Sequence, residues 1–540
     1  MKPAPNLNEL SSDQLRTLAE QLLREVQEKD ELLTNKDELL ANKDELIASS
    51  ERIIAKSKSI IQHVELENSK LKHEMAILKR HKFARTSEAL NPQQRSLLDD
   101  LINEDIAGIE EQLAQYDQLL QSEPKPRQTP RRAPLPPELP RSLIQHDPDN
   151  TQCECGCQLR RIGEDVSEKL DYIPGTFTVE RHVRGKWACP DCEAFVQAPV
   201  PPQVIDKGIP APGLLAQVLV AKYGDHLPLY RQEKIFARAG VEIARSTLAD
   251  WVGRCGVALQ PLVDRLRELL HEQPVLHADE TPVSMLAPGK KKTHKAYVWA
   301  YTSTRFSDLN SVVYDFAPSR SGEHARRFLQ DWQGKLVCDD FSGYKASFQK
   351  GITEIGCMAH ARRKFFDLHV ANQSTLAQSA LEQIGKLYEI ERLAKDMDNE
   401  ARLACRQQHA KPLLDTLHQW LLTHRQKVPH GSATAKAIDS SLKRWAALIR
   451  YCEDGAVPID NNQVENQIRP WALGRNNWLF AGSLRSGQRA ANVMSLIQSA
   501  KLNGHDPYAY LKDVLIRLPT QRASRIDELL PHQWAAPVKM

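Results

Sequence analysis

Apolar residues recur every seven positions near the start of the chain. DELLTNK (30–36), DELLANK (37–43) and DELIASS (44–50) are successive heptads. Leu33, Leu40, Ile47, Ile54 and Ile61 share one heptad position, which Asn68 and Met75 continue. Val64, Leu71 and Leu78 supply a second seam position late in the segment. Earlier, that position holds Lys36, Lys43, Ser50 and Ser57, and the apolar partner shifts to Leu32, Leu39, Leu46, Ile53 and Ile60. Residues 7–80 therefore read as one long helix. A sustained seven-residue repeat makes helices supercoil around each other. The expected outcome is self-association through a coiled coil, with Asn68 setting register. A helical hairpin within one chain is the alternative.

Further along, the pattern changes several times. Residues 121–142, QSEPKPRQTPRRAPLPPELPRS, are rich in proline and arginine and read as a semi-rigid linker. Residues 206–272 are helical in pattern. Within them PLYRQEKIFARAG, VEIA and RSTLADWVGRC resemble a helix-turn-helix, with Gly240 at the turn and Ser246 as cap. Arg245, Thr247, Asp250 and Arg254 are its expected exposed residues, and Arg245 and Thr247 its candidate DNA contacts.

From Pro274 the period becomes that of strands. VLHADETPV, KAYVWAYTS and SVVYDFAPS are β-rich runs. SGEHARRFLQDW reads as a helix capped by Ser321, and GKLVCDDF and ITEIGCMAH as two more strands. Three strands, a helix, a strand, a helix-like segment and a strand give the order of a ribonuclease-H-like α/β fold. Its first and fourth strands lie side by side. Residues 361–455 are strongly helical and read as an insertion. DNNQVENQIRP then opens a new helix capped by Asp460, Asn461 or Asn462.

The chain is thus expected to be multi-domain: a helical coiled-coil region (1–120), the linker (121–142), a zinc-binding region (143–205), a helical segment (206–272), the catalytic core (273–500) and a C-terminal helical tail (501–540). A length of 540 residues suits several domains. The net charge of +3 says little about partners, so local charge must. No secretory signal and no membrane span is apparent, which points to the cytoplasm.

Two clusters bear chemistry. Of ten cysteines, five lie between Cys153 and Cys192. Cys189 and Cys192 form CxxC, a spacing that lets two thiolates reach one tetrahedral zinc ion. Two of Cys153, Cys155 and Cys157 would complete a closed, structural site. The second cluster is acidic. Asp279 and Asp339 end apolar strand-like runs, and Glu465 is the lone acid before a basic stretch holding Arg469, Arg475, Arg485, Arg489 and Lys501. Hard divalent cations take oxygen ligands. Two magnesium ions about 3.5–4 Å apart can clamp both oxygens of a phosphoryl displacement. Asp279 is the expected bridge between the two ions, which manganese can replace. Asp339 and Glu465 complete one ion site each. Strand alternation lets only one of Asp339 and Asp340 face the site. Lys290, Lys291, Lys292, Lys295, Arg362, Arg363, Lys364, Arg469 and Arg475 are candidate phosphate contacts. Cys357-Met-Ala-His360 and Cys405-Arg-Gln-Gln-His409 have metal-like spacing and together offer a second zinc site bridging the core and the insertion, but a buried cysteine and a phosphate-facing histidine are the expected fates.

These motifs occur in an order that resembles transposases of the insertion sequence 66 family. The resemblance runs from the leucine repeat through RIGEDVSEKLDYIPG and CPDC, LHADETPV, DDFSGY, CMAHARRKF and DNNQVENQIRP to KLNGHDPYAYLKDVL. It departs from that pattern at CxCxC, where a plain CxxC is usual. The resemblance implies a DDE triad at Asp279, Asp339 and Glu465, and metal-dependent cleavage of element ends followed by joining of 3′-hydroxyls to target DNA. It also implies accessory proteins of the same element. A DNA-binding regulator without catalysis and a nuclease without strand transfer are the rival readings.

Overall fold

The computed structural model describes residues 24, 29, 43, 49–72, 74–75, 92–119, 135, 137, 139–148, 152, 157–158, 160–173, 175–190, 192–205, 208–287, 292–478 and 480–536. The chain divides into two compact units, residues 1–76 with 113–125 and residues 77–112 with 126–540. The first unit contains helix α1, residues 49–72. On α1 the seam residues Val64 and Leu71 are buried, with Asn68 between them, whereas Ile53, Ile54, Ile60, Ile61 and Leu66 remain exposed. The earlier heptads, with Leu33, Leu40 and Ile47, lie outside the described residues.

The second unit holds part of α2 (Pro92–Leu119), a small sheet, a helical layer and a larger sheet. The small sheet holds β1 (Arg141–His146), β2 (Arg160–Ile173), β3 (Thr176–Ala188) and β4 (Phe195–Gln197). β2 and β3 form a long antiparallel hairpin turned at Gly175, whose φ of 89° suits glycine. β1 pairs with β3 in parallel and β4 pairs with it antiparallel. Most of the expected linker lies outside the described residues, and its last two residues already belong to β1.

The helical layer comprises α3 (Pro212–Leu219), which ends in a π turn at Val220–Gly224, then α4 (Leu229–Arg238), α5 (Arg245–Ala258) and α6 (Gln260–His271). α5 starts one residue before Ser246. Its first N–H, on Arg245, donates to Glu233 Oε1 on α4 at 3.0 Å, so a neighbouring helix does the work expected of Ser246. α5 is buried from Leu248 to Val257 except at two positions. α2 packs directly onto it: a Cβ at Gly253 would lie 2.3 Å from the Glu104 carbonyl oxygen.

The larger sheet contains β5 (Val275–Ala287), β6 (Lys292–Ser303), β7 (Val312–Ala317), β8 (Lys335–Cys338) and β9 (Thr353–Gly356), in the order β7-β6-β5-β8-β9. β5 to β7 run antiparallel, and β8 and β9 join β5 in parallel. The first and fourth core strands are neighbours, as the order of elements predicts. α7 (Gly322–Leu329) crosses between β7 and β8, and the Ser321 hydroxyl caps it by accepting from the Glu323 N–H. α8 (Lys345–Phe348) is a single turn before β9.

Beyond β9 come the helices of the insertion: α9 (Met358–Asn372), α10 (Thr375–Leu393), α11 (Asn399–Cys405), α12 (Lys411–Arg425), α13 (Ala433–Lys443) and α14 (Trp445–Ile449). α15 (Asn462–Trp478), α16 (Leu484–Leu502) and α17 (Pro507–Arg517) complete the unit. α16 covers the edge of β7. Its Ser495 and Ser499 hydroxyls accept the N–H groups of Tyr314 and Val312 at 2.9 and 3.0 Å, which satisfies an otherwise open strand edge.

Two apolar cores sandwich the larger sheet. Leu276, Ala278, Leu336 and Cys338 belong to one, with β2, β3, α3 to α6, α16 and α17. Val275, Val337 and Ile355 belong to the other, with the insertion helices. Successive strand residues point to opposite faces, so each strand feeds both cores. The last helical segment, through Tyr510, Leu529 and Trp534, is part of the first core.

A buried ion pair closes the insertion. A π turn at Arg406–Ala410 joins α11 to α12, and the Arg406 side chain is wholly buried. Its Nε and Nη2 donate to Glu391 on α10 at 2.7 Å each, and its Nη1 donates to the carbonyls of Tyr451, Asp454 and Val457. Removing one partner strands the other charge. Arg406→Met is expected to destabilise the insertion by about 3–5 kcal/mol, and Arg406→Met with Glu391→Leu by much less. Denaturant unfolding followed by tryptophan fluorescence measures both; equal losses would contradict the pairing.

Candidate active site

The sheet itself brings the first two acids together. β5 and β8 pair in parallel up to His277 opposite Val337. Asp279 and Asp339 each follow two residues beyond that last pair, Asp339 just past the end of β8, and the Asp339 charge acts on Asp279. Val275 and Val337 face the insertion core, and alternation puts His277, Asp279 and Asp339 on that face. Asp340 is exposed and lies 3.6 Å from Arg444, at the junction of α13 and α14 in the insertion. Asp339 Oδ1 accepts the Phe341 N–H at 2.9 Å and Asp279 Oδ1 accepts the Glu280 N–H at 2.8 Å, so each carboxylate is held by the chain that follows it.

Glu465 arrives on α15. Its helix is joined to β5 by Asn461, whose side chain is fully buried. Asn461 Nδ2 donates to the Ala278 carbonyl at 2.9 Å, and its Oδ1 faces His277 Nδ1 at 2.8 Å. Its own N–H donates to Cys357 Sγ at 3.2 Å. Burial pushes the His277 imidazole down to about 4, so the ring is neutral and its Nδ1 donates to the amide oxygen. The Glu465 N–H then donates to the Asn461 carbonyl at 3.2 Å, so the glutamate sits one turn beyond the joint. Of the three expected caps, Asp460 performs that role: its Oδ1 accepts the Asn462 N–H at 3.1 Å.

The carboxylates sense one another. Burial first, then the charges of Glu280, Asp339 and Glu465, against the Glu280 N–H, together push the Asp279 carboxyl up to about 8. Glu465 Oε1 is buried without a hydrogen-bond partner among the described residues, while Oε2 lies 3.5 Å from Arg363 Nη2. Carboxylates are the oxygen donors that hard divalent cations take, but the donor atoms that already lie within 4.8 Å of one another among the described residues are those of Cys357, His360 and Glu465.

A second acid on β5 has a different task. Glu280 faces the other core. It holds Arg320 by the Nη2 at 2.6 Å and the Nε at 2.8 Å, and accepts the Tyr344 hydroxyl at 3.0 Å. The Arg320 guanidinium lies over the Phe341 ring, 4.1 Å from its centroid, and is close enough to feel the Asp339 charge. Sequence reading missed Glu280, Arg320, His277 and Asn461. The adjacent acids in HADET were the visible signal for Glu280, since alternation gives them separate faces.

The remaining candidates separate into groups. Arg362, Arg363 and Lys364 on α9 and Arg469 on α15 are exposed near Glu465 in sequence or space. Arg475 Nη1 donates to the Pro282 carbonyl on β5 at 3.0 Å. Lys292 opens β6, Lys295 follows on the same strand, and Lys290 and Lys291 lie outside the described residues. Arg245 is 2.5 Å from Asp100 on α2, and Arg254 is 3.1 Å from Glu111. Arg489 pairs with Asp105, and Arg485 donates to Gln112 at 2.8 Å. Thr247 is partly buried in the first turn of α5. A run of basic residues read as a DNA surface thus meets the acidic helix α2.

At the candidate zinc site, Cys189 is buried at the end of β3 and Cys192 is exposed in the turn to β4. That turn is closed by Glu193 N–H to the Cys189 carbonyl and Cys189 N–H to the Ala194 carbonyl, both 3.0 Å, with Glu193 at φ 56°. A tight turn carrying two thiols suits a tetrahedral ion. Cys157 is partly buried; Cys153 and Cys155 lie outside the described residues. His409 is exposed and does not join Cys357 and His360; Glu465 does.

Residues 207–489 match the family model described as Transposase IS66 family, and residues 495–532 the IS66 C-terminal element. Residues 150–193 match the zinc-finger binding domain of transposase IS66, and residues 70–144 the model described as Transposase C of IS166 homeodomain. Three proteins of Sinorhizobium fredii (strain NBRC 101917 / NGR234) are similar over most of their length. Uncharacterized protein y4hP is 35% identical over 87% of this chain and 88% of its own. Uncharacterized protein y4jD is 36% identical over 86% and 94%, and uncharacterized protein y4qI 38% over 74% and 78%.

Since the folded Asp279 carboxyl binds its proton far more tightly than an unfolded one, the metal-free protein loses stability as pH rises from about 4 towards about 8. Asp279→Asn removes that loss. Thermal melts without divalent cations should show the variant gaining on the wild type at pH 8 more than at pH 5; a pH-independent difference would contradict the burial of this group.

Proposed function

Because the chain belongs to the IS66 family of transposases, we propose that it cuts the ends of an insertion sequence and joins the freed 3′-hydroxyls to target DNA. What supports this reading is the parallel pairing of β5 with β8, which stops just before Asp279 and Asp339, and the action of the Asp339 and Glu465 charges on Asp279. The sheet order supports a ribonuclease-H-like core, with three antiparallel strands followed by two parallel ones.

Asp279 would be the ligand shared by the magnesium or manganese ions, since the charges of both other acids act on it. Asp339 and Glu465 each complete one ion's ligand set. Ions bound there lower the pKa of an attacking water or hydroxyl and stabilise the leaving oxygen. The side chains have supporting tasks. Asn461 and His277 fix the height of Glu465 against β5. Glu280 orients Arg320 toward the Asp339 side, where its guanidinium can meet a phosphate. Arg362, Arg363, Lys364 and Arg469 present exposed cations to the DNA backbone, to which Lys290, Lys291 and Lys292 are also assigned. Reaction at phosphorus needs no protein nucleophile, and none is assigned.

Zinc is assigned to Cys189, Cys192 and two of Cys153, Cys155 and Cys157, where it holds the β3–β4 turn to the preceding loop. Exposed Ile53, Ile54, Ile60 and Ile61 on α1 form an apolar stripe that suits a coiled-coil partner, and a second copy of the chain is the proposed one. No described helix is long and apolar enough to cross a membrane.

Duplexes with pre-cut element ends and exposed 3′-hydroxyls, incubated with target plasmid and magnesium, test the reaction. Joined products are expected, and Asp279→Asn, Asp339→Asn and Glu465→Gln should each lower their yield at least about a hundredfold. Cleavage without joining would favour a nuclease, and an unaffected Asp279→Asn would favour a regulator. Zinc content by mass spectrometry tests the second assignment. Cys192→Ser is expected to hold one zinc per chain fewer than the wild type; an unchanged zinc content would remove that cysteine from the ligand set.

A further inference from the structure

The start of α9 and the start of α15 meet beside the acidic site. Cys357 is the N-cap of α9 with an extended backbone, and His360 follows three residues on, so both side chains leave the same side of the helix end. Two bonds join this end to the segment before α15: Met358 N–H to the Ile459 carbonyl at 3.0 Å, and Asn461 N–H to Cys357 Sγ. Glu465 then comes over from α15. One donor atom each from Cys357, His360 and Glu465 lie within 4.8 Å of one another.

Two of those donors lack partners. His360 Nδ1 and Glu465 Oε1 are buried without a hydrogen bond among the described residues, and they stand 3.6 Å apart. That is too long for a hydrogen bond. It is close to the edge of a zinc tetrahedron, about 3.3–3.8 Å for bonds of about 2.0–2.3 Å. Leaving a buried polar atom unpaired is unfavourable, and one cation would satisfy both. Arg363 engages Oε2 and leaves Oε1 free to turn to the cation. Small side-chain rotations bring the sulfur into range, since the widest separation exceeds the tetrahedral edge by only about an ångström.

We infer that Cys357, His360 and Glu465 form a site for a thiophilic divalent cation of the zinc class. Sulfur and imidazole donors select such ions over magnesium, which takes oxygen. Three protein ligands leave a fourth position open to water or phosphate. The site shares Glu465 with the acidic triad. A zinc-class ion held here therefore draws Glu465 away from magnesium and lowers strand transfer. This consequence, though not the binding, rests on the role proposed for Glu465.

Cobalt(II) reports the site directly. The full-length chain, loaded with zinc at its cysteine turn and freed of magnesium, is titrated with Co²⁺. One further equivalent should bind, with the visible bands of tetrahedral cobalt and an ultraviolet sulfur-to-cobalt band. Cys357→Ser should lose the ultraviolet band, and His360→Gln should keep it while binding at least about tenfold more weakly. No added sulfur band in the wild type, or a band unchanged by both variants, would overturn the site. In the joining reaction at constant excess magnesium, added Zn²⁺ should slow the wild type at least about tenfold and Cys357→Ser less than about twofold. Equal slowing of both would overturn the withdrawal of Glu465. Cobalt bands that respond to the variants, in a chain with no joining activity, would support the site and refute the transposase reaction.

Discussion

The side-chain amide of Asn461 is the joint on which the acidic site depends. It contacts the β5 backbone at Ala278 and the ring of His277, while its own N–H contacts Cys357 at the start of the insertion. Three distant stretches of chain therefore meet at one buried residue. Each such bond adds about 1 kcal/mol, but leaving its buried partner unpaired costs about 1–3 kcal/mol. That asymmetry makes the joint a constraint on geometry more than a source of stability. Other polar contacts hold α15 further along, from Gln463 to the Ser303 carbonyl and from Arg475 to the Pro282 carbonyl, but the Asn461 amide is the contact nearest Glu465 that reaches the β5 backbone.

Around this joint the sheet works as a two-sided plate. Leu276, Ala278, Leu336 and Cys338 anchor one face, and Val275, Val337 and Ile355 the other. The alternation that fills both cores also decides which acids meet. Asp279 and Asp339 share the insertion side, Glu280 goes beneath with Tyr344 and Arg320, and Asp340 goes out to Arg444. On β5, alternation separates Asp279 from Glu280; beyond the end of β8, Asp340 is engaged by Arg444 of the insertion. The insertion completes the arrangement by lending α9, which faces Glu465 with His360 and Arg363.

Local signals were readable where the chain's own neighbours decide the outcome. The strand period, the Ser321 cap and the adjacency of β5 and β8 followed from pattern and order. The acids stood out because carboxylates rarely end apolar strands. Contacts across long stretches of chain were not readable. Asn461 looked like an ordinary helix cap, but its amide is used on β5 and Asp460 does the capping. Ser246 looked like a cap too, and Glu233 from α4 serves instead. Arg245, Arg254 and Arg489 looked like a surface for phosphates. They face Asp100, Glu111 and Asp105 of α2, whose place against α5 depends on packing at Gly253. A charge on a one-dimensional chain carries no label for its partner.

The account stands or falls on whether the three acids hold cations together. Crystals of the chain with DNA ends, grown in manganese, provide the test through anomalous scattering. Two peaks are predicted, both touching Asp279, one shared with Asp339 and the other with Glu465. A DNA-bound map with no peak at these carboxylates would contradict the account.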